Sequence, residues 1–337
     1  MRWIAMSAVL AVAGCGLQAT ETTLPSLRLD PERVSVVGLS SGAAMAQQAH
    51  FAYSDKLVGA GLVAGPPYGC AEGDLNTALG RCMKAQPDAP DANKLAQQAR
   101  ELARQDKIAP LSGLGGDKVL VLHGKGDAVV AASVAKAAQA IYEEFSRDGV
   151  NVAAQFDGDR DFSHTWPTQA SGKPCDVSES PFVGSCGFDA AAAMLETLYG
   201  KPSREADTAA GKLVGFDQRA FKPDGKDAML ADEGLIYVPP GCADGNRCGV
   251  VFAFHGCDQN VASVGESFVR DNGLNRWADV YGLVIVYPQT RASFMPLNPK
   301  ACWDWWGYTG ADYATRDGVQ LRWLANLSAA LGVPLAP

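Results

Sequence analysis

Short, near-continuous apolar runs alternate with longer Ala-rich stretches along most of the chain. The runs Val34–Val37, Leu57–Val63, Lys118–Leu122, Val152–Phe156, Leu235–Val238, Val250–Phe254 and Leu283–Tyr287 predict strands. The stretches Ala43–Ala52, Asn93–Gln105, Ala131–Arg147, Ala190–Tyr199, Ser263–Tyr281 and Gly318–Leu331 predict helices. A strand that is apolar at every position, rather than at every second one, must be covered on both faces. Parallel strands joined by crossover helices achieve that. The pattern therefore predicts an α/β fold, a mostly parallel sheet with helices on both faces. Residues 200–233 interrupt the alternation; they are polar, rich in Gly, Asp and Lys, and predict a long surface connection. There is no internal repeat.

The N-terminus has a different pattern. Arg2 precedes the apolar stretch Ile4–Ala13, which suits an export signal and is too short to span a bilayer. Val12-Ala13-Gly14-Cys15 resembles a bacterial lipobox, in which the cysteine is acylated and becomes the first mature residue. The expected organisation is a signal over residues 1–14, a linker over 15–27 and one catalytic domain over 28–337. The mature protein is expected at the periplasmic or cell surface, tethered by lipid on Cys15, or otherwise secreted. With a net charge of −8 and no cluster of Lys or Arg, nucleic acid is not an expected partner.

Nine cysteines fit export. With Cys15 assigned to the signal or anchor, proximity pairs Cys70 with Cys82, Cys175 with Cys186 and Cys242 with Cys248, leaving Cys257 and Cys302. Other connectivities stay open on sequence alone. There is no C-x-x-C and the histidines stand singly, so no metal is expected.

Candidate chemistry begins where the first strand runs into Gly38-Leu39-Ser40-Ser41-Gly42 and a helical stretch follows at once. This is G-x-S-x-G in a strand–turn–helix setting, the nucleophile elbow. The turn would hold Ser40 in strained geometry at a helix N-terminus, and the Ser41 N–H is a natural oxyanion donor. Asp127, past the end of the strand Lys118–Leu122, is the candidate acid, since Asp157, Asp159 and Asp161 lie too close to the histidine loop. Four histidines allow a choice by elimination. His50 is expected at the surface or as a helix cap, His123 ends the Asp strand, and His255 opens another loop, leaving His164 as the base. The order Ser40, Asp127, His164 is that of α/β-hydrolases. The second oxyanion loop of that fold matches His255-Gly256-Cys257-Asp258-Gln259, which lies far after the serine instead of before it. Circular permutation accounts for the displacement, with Cys257 N–H as second donor and residues 200–233 joining the old termini.

Together with Cys186-Gly187-Phe188-Asp189 and Cys302-Trp303-Asp304-Trp305-Trp306-Gly307-Tyr308, these motifs resemble the catalytic domain of extracellular poly(3-hydroxybutyrate) depolymerases. The similar branch is the circularly permuted α/β-hydrolase with an N-terminal nucleophile. The resemblance implies a single-domain, cofactor-free serine esterase, expected as a monomer, that cuts a polyester or its oligomers; an esterase on feruloyl or acetyl polysaccharide esters and a non-catalytic polymer-binding surface protein are the alternatives. Some of Trp303, Trp305 and Trp306 are expected in the core and at least one in the substrate crevice, with the resemblance favouring Trp305 or Trp306. No separate polymer-binding module is evident, so soluble oligomers and amorphous polymer are expected to be cut faster than crystalline film.

Overall fold

A computed structural model describes residues 23–224 and 226–336. Cys15 and the expected signal lie outside the described residues.

The main sheet takes β1 (Leu29–Leu39), β2 (Gly59–Val63), β3 (Lys118–Leu122) and β4 (Ala153–Asp157) from the first half of the chain. A second, three-stranded sheet holds β5 (Trp166–Thr168), β6 (Lys173–Pro174) and β7 (Val183–Ser185). The main sheet then adds β8 (Lys212–Asp217), β9 (Glu233–Val238), β10 (Cys248–Phe254) and β11 (Leu283–Tyr287). The spatial order is β4-β3-β2-β1-β10-β11-β9-β8. The six strands from β4 to β11 are parallel, and β9 and β8 close the edge antiparallel. The late strand β10 thus pairs directly with β1, with Gly38 opposite Phe254. The strands that come last in the chain fill the side of the sheet that an unpermuted α/β-hydrolase fills first, which is the circularly permuted arrangement.

Alternate residues of one strand feed separate cores. Val34 and Val36 of β1, with Val250, Phe252 and Phe254 of β10, pack on one face. Val37 and Leu39, with Val251 and Ala253, pack on the other. The first face is covered by α1 (Ser41–Ala52), α3 (Ala92–Arg104), α4 (Ala132–Arg147) and α10 (Val319–Ala330), and also by the short α2 (Leu75–Leu79) and α6 (Pro240–Ala243). The second is covered by α5 (Ala190–Tyr199) and by α8 (Ser267–Asp271) and α9 (Leu274–Tyr281), which follow the single-turn α7 (Val261–Val264).

Two expected elements differ. The single helix expected over Ser263–Tyr281 is divided into α7, α8 and α9, because Gly265 and Gly273 take φ of +60° and +84° and end the helical path. Residues 200–233 are more than a surface connection: β8 pairs along β9, and its Phe216 is fully buried. Among the described residues, four disulfides join Cys70–Cys82, Cys175–Cys186, Cys242–Cys248 and Cys257–Cys302. Such bridges mark an exported protein.

Candidate active site

Ser40 sits between the C-terminal end of β1 and the N-terminus of α1 with φ 56° and ψ −117°. This is a strained conformation for a residue with a Cβ. It is imposed by the surrounding backbone: Ser40 N–H donates to Val63 O at 2.8 Å, and Ser40 O accepts from Ala44 N at 3.0 Å. The flanking glycines are needed for close approach. A Cβ on Gly38 would lie 2.2 Å from Gly42 O, and one on Gly42 would lie 2.1 Å from Phe254 O. The elbow is therefore pressed against β10, the strand that carries the His255–Gln259 loop.

Asp127 follows β3 in a loop sewn to the segment before His164. Lys125 N–H donates to Arg160 O and Gly126 N–H to Phe162 O, at 2.9 and 3.1 Å. A Cβ on Gly124 would lie 1.9 Å from Phe162 O, so this loop needs its glycine. The result brings His164 Nδ1 to 2.8 Å from Asp127 Oδ2. Asp127 Oδ1 accepts from Val129 N and Val130 N at 2.8 and 2.9 Å. Burial pushes this carboxyl up. The hydrogen bond and charge of His164 and the two N–H groups outweigh it, and the pKa is lowered. His164 itself is held by the small sheet. Ser163 N–H donates to Cys175 O at 2.9 Å, beside the Cys175–Cys186 bridge, and Trp166 Nε1–H donates to Asn272 O at 2.8 Å.

Ser40 and His164 line one crevice of about 580 Å³ with Cys257, Trp305 and Trp306. Among the described residues, neither Ser41 N–H nor Cys257 N–H has an acceptor. Ser41 is 1% exposed at the first position of α1, where no intrahelical acceptor exists. The loop carrying Cys257 is fixed from several sides. Gly256 N–H donates to Gln259 Oε1 at 2.7 Å, Asp258 N–H donates to Lys300 O at 2.6 Å, and Cys257 is bridged to Cys302.

Trp303 is fully buried against Phe254 and belongs to the core. Trp305 and Trp306 form the aromatic wall of the crevice, edge to face with centroids 5.6 Å apart. Their turn is organised by buried Asp304, a residue that sequence reasoning missed. Its Oδ1 accepts from Gly307 N and Tyr308 N at 2.7 and 3.0 Å, and its Oδ2 from Thr309 N and Oγ1 at 2.7 and 2.6 Å. An Asp followed by a Gly-Tyr-Thr turn was the available signal. Leu79 and Leu297 line the crevice and are half-exposed, and Phe294 and Met295, just before Leu297 in the chain, are almost fully exposed.

His50 is corrected. It is neither a surface residue nor a cap but fully buried, with Nδ1 2.9 Å from Tyr142 Oη and Nε2 2.9 Å from Asp117 Oδ2. Every residue of α1 is buried, so a polar side chain on it must find an internal partner. His123 is also buried, with Nε2 2.9 Å from Val130 O. Among the described residues, no group of three or more His, Cys, Asp or Glu is placed to hold a metal ion. No helix among them is long and apolar enough to cross a membrane.

The family profile described as Esterase PHB depolymerase matches residues 233–321. The chain is 36% identical over 326 residues to the poly(3-hydroxybutyrate) depolymerase of Delftia acidovorans, covering 95% of this chain and 64% of that protein. It is 33% identical over 323 residues to the polyhydroxybutyrate depolymerase of Talaromyces funiculosus, covering 90% of this chain and 91% of that one. The chain belongs to the PHB depolymerase family. PHB depolymerases are carboxylic ester hydrolases. The crystal structure of PHB depolymerase from Penicillium funiculosum superposes with a TM-score of 0.81 at 30% identity, over 93% of this chain and 100% of that one. A serine-to-alanine variant of a PHB depolymerase complexed with an R3HB trimer gives the same TM-score, 0.81, at 30% identity over 93% of this chain and 99% of that one.

Proposed function

We propose that the chain is a serine esterase that hydrolyses poly(3-hydroxybutyrate) or its oligomers through an acyl-enzyme. The observation that carries this reading is the opening of the strained Ser40 and of His164, itself paired with the buried Asp127, into one aromatic-walled crevice. Ser40 Oγ attacks the ester carbonyl and passes its proton to His164 Nε2. Asp127 holds the Nδ1–H tautomer and stabilises the imidazolium. The N–H groups of Ser41 and Cys257 receive the negative charge that develops on the carbonyl oxygen. His164 returns the proton to the leaving alkoxide, and water then resolves the acyl-enzyme by the same route. Trp305 and Trp306 cover the apolar backbone and methyl groups of the substrate. Leu79 and Leu297, half-exposed on the crevice lining, suit contact with a water-poor polyester.

The test is product analysis. Incubation with soluble 3-hydroxybutyrate oligomers is expected to release shorter acids at a rate at least about tenfold above that on feruloyl or acetyl sugar esters. Equal or faster cleavage of the sugar esters would assign the crevice to another ester class.

Acylation of Cys15 and action as a monomer are part of the same reading. Growth with labelled palmitate is expected to mark the protein and fractionate it with membranes, and Cys15→Ser to abolish both. An unlabelled protein recovered wholly from the medium would remove the anchor and leave the esterase reading standing.

A further inference from the structure

His123 follows β3 directly and stands four residues before Asp127, with its side chain 2% exposed. Its backbone N–H donates to Asp157 O at 2.9 Å, which carries the pairing of β3 with β4 one step past the ladder. The ring therefore leaves the backbone from a fixed point. Its Nε2 lies 2.9 Å from Val130 O. A carbonyl oxygen only accepts, so Nε2 carries a proton and donates it there. Nδ1 is buried and has no hydrogen-bond partner among the described residues. The mechanism above does not use this side chain, and it does not line the crevice.

Val130 C=O and Ala131 N–H belong to one planar trans peptide and point in opposite directions. His123 holds the oxygen, and Met83 O holds the N–H at 2.7 Å. The peptide cannot rotate without breaking both bonds. Val130 also donates its own N–H to Asp127 Oδ1 at 2.9 Å, beside Val129 N–H at 2.8 Å. Fixing Val130 thus fixes where Oδ1 sits, and leaves Oδ2 to face His164 Nδ1 at 2.8 Å. His123 Nε2 is 3.7 Å from that Oδ2, too far for a hydrogen bond. Its proton goes to Val130 and does not compete with His164.

We propose that His123 is a positioning residue that locks residues 127–130 so that Asp127 keeps Oδ2 turned toward His164. The proposal rests on the reading of Asp127 as the triad acid. Without His123, the buried Val130 carbonyl loses a donor, and the loop must move to find another. The two N–H groups then shift under Oδ1, and the carboxylate rotates away from the histidine it orients.

His123→Leu fills similar space and removes the donor. It is expected to lower kcat on a short hydroxybutyrate oligomer by roughly 10- to 100-fold, the range found when an outer partner that orients an active-site ligand is lost. KM should change less than about threefold, because neither His123 nor Asp127 lines the crevice. His123→Gln can place an N–H near the Nε2 position, and His123→Asn only near the Nδ1 position. Gln is expected to exceed Asn in kcat by at least about fivefold, a comparison that decides alone where the Leu variant does not fold. Two further readouts would not respond to a merely structural role. In an Asp127→Asn background, His123→Leu should cost less than about threefold more, since the histidine acts only through the carboxylate. The downfield proton resonance of His164 Nδ1–H should weaken or vanish in the Leu and Asn variants and persist in Gln. A Leu variant within about threefold of the parent in kcat, a loss confined to KM, equal Gln and Asn variants, a full further loss beside Asp127→Asn, or an unchanged resonance in the Leu variant would each overturn the proposal. Failure of the esterase reading is separate: it would appear as turnover surviving Ser40→Ala.

Discussion

Replacing Ser40 with Ala is expected to cut turnover of a short hydroxybutyrate ester by about 10⁴-fold or more while the fold survives. What remains comes from binding and from the oxyanion donors acting on an attacking water. The fold should tolerate the change because the bonds that impose φ 56° are made by the backbone, to Val63 O and from Ala44 N. Alanine keeps the Cβ and loses only the hydroxyl. The melting temperature should therefore move by no more than about 4 °C, the shift expected of roughly 1 kcal/mol in a chain this long. Turnover and thermal unfolding of the same preparation check both halves. A purified variant that keeps a tenth of parental turnover would mean that the elbow is not the nucleophile. A variant that is inactive because it has unfolded would be seen in the melt.

The parts of the fold visible in the sequence are those whose signal is local. Strands β3, β10 and β11, and β1 from Val34 onward, are largely apolar because helices cover both faces, and such runs stand out from their surroundings. The elbow is visible for a similar reason. Gly38 and Gly42 are adjacent to the serine they serve, and the contacts that require them lie within the turn and on β10. Disulfide partners were suggested by proximity because three of the four loops close over 12, 11 and 6 residues.

Other features depend on contacts between distant segments. His50 looks like the last polar turn of a surface helix until Asp117 and Tyr142 are placed against it. Its helix nonetheless carries no Asp, Glu, Lys or Arg and has alanines on every side, a pattern that marks burial. Strands β5, β6 and β7 have three, two and three residues, too few for any period to show, yet they hold His164 in place. Asp304 is one aspartate among many by composition. Only the folded turn shows its two oxygens gathering the N–H groups behind the aromatic wall. The division of Ser263–Tyr281 was legible in principle, since Gly265 and Gly273 fall where the helix stops.

Asp127→Asn is expected to lower kcat by about 10⁴-fold, and the hydrogen bonds around the carboxylate explain why. Oδ1 accepts from two backbone N–H groups, Val129 and Val130, and Oδ2 faces His164 Nδ1 at 2.8 Å. An asparagine has one oxygen to place. Setting its amide nitrogen against two N–H donors would leave three donors facing one another, so the oxygen must stay with Val129 and Val130. The NH₂ group then points at His164 Nδ1, which can only accept from it. The imidazole is driven to the Nε2–H tautomer, and Nε2 can no longer take the proton of Ser40. KM should change little, because Asp127 has a fully buried side chain and is not on the crevice wall. The pH dependence of stability gives a second readout. The folded pKa of Asp127 is lowered, so its stabilising contribution is complete above the unfolded value of about 3.9 and is lost as pH falls through the lower folded value. The Asn variant lacks that titration. Its stability should fall less steeply than the parent's on acidification below pH about 4. A variant within tenfold of parental kcat, or one with the parent's full acid slope, would show that this carboxylate does not orient the histidine.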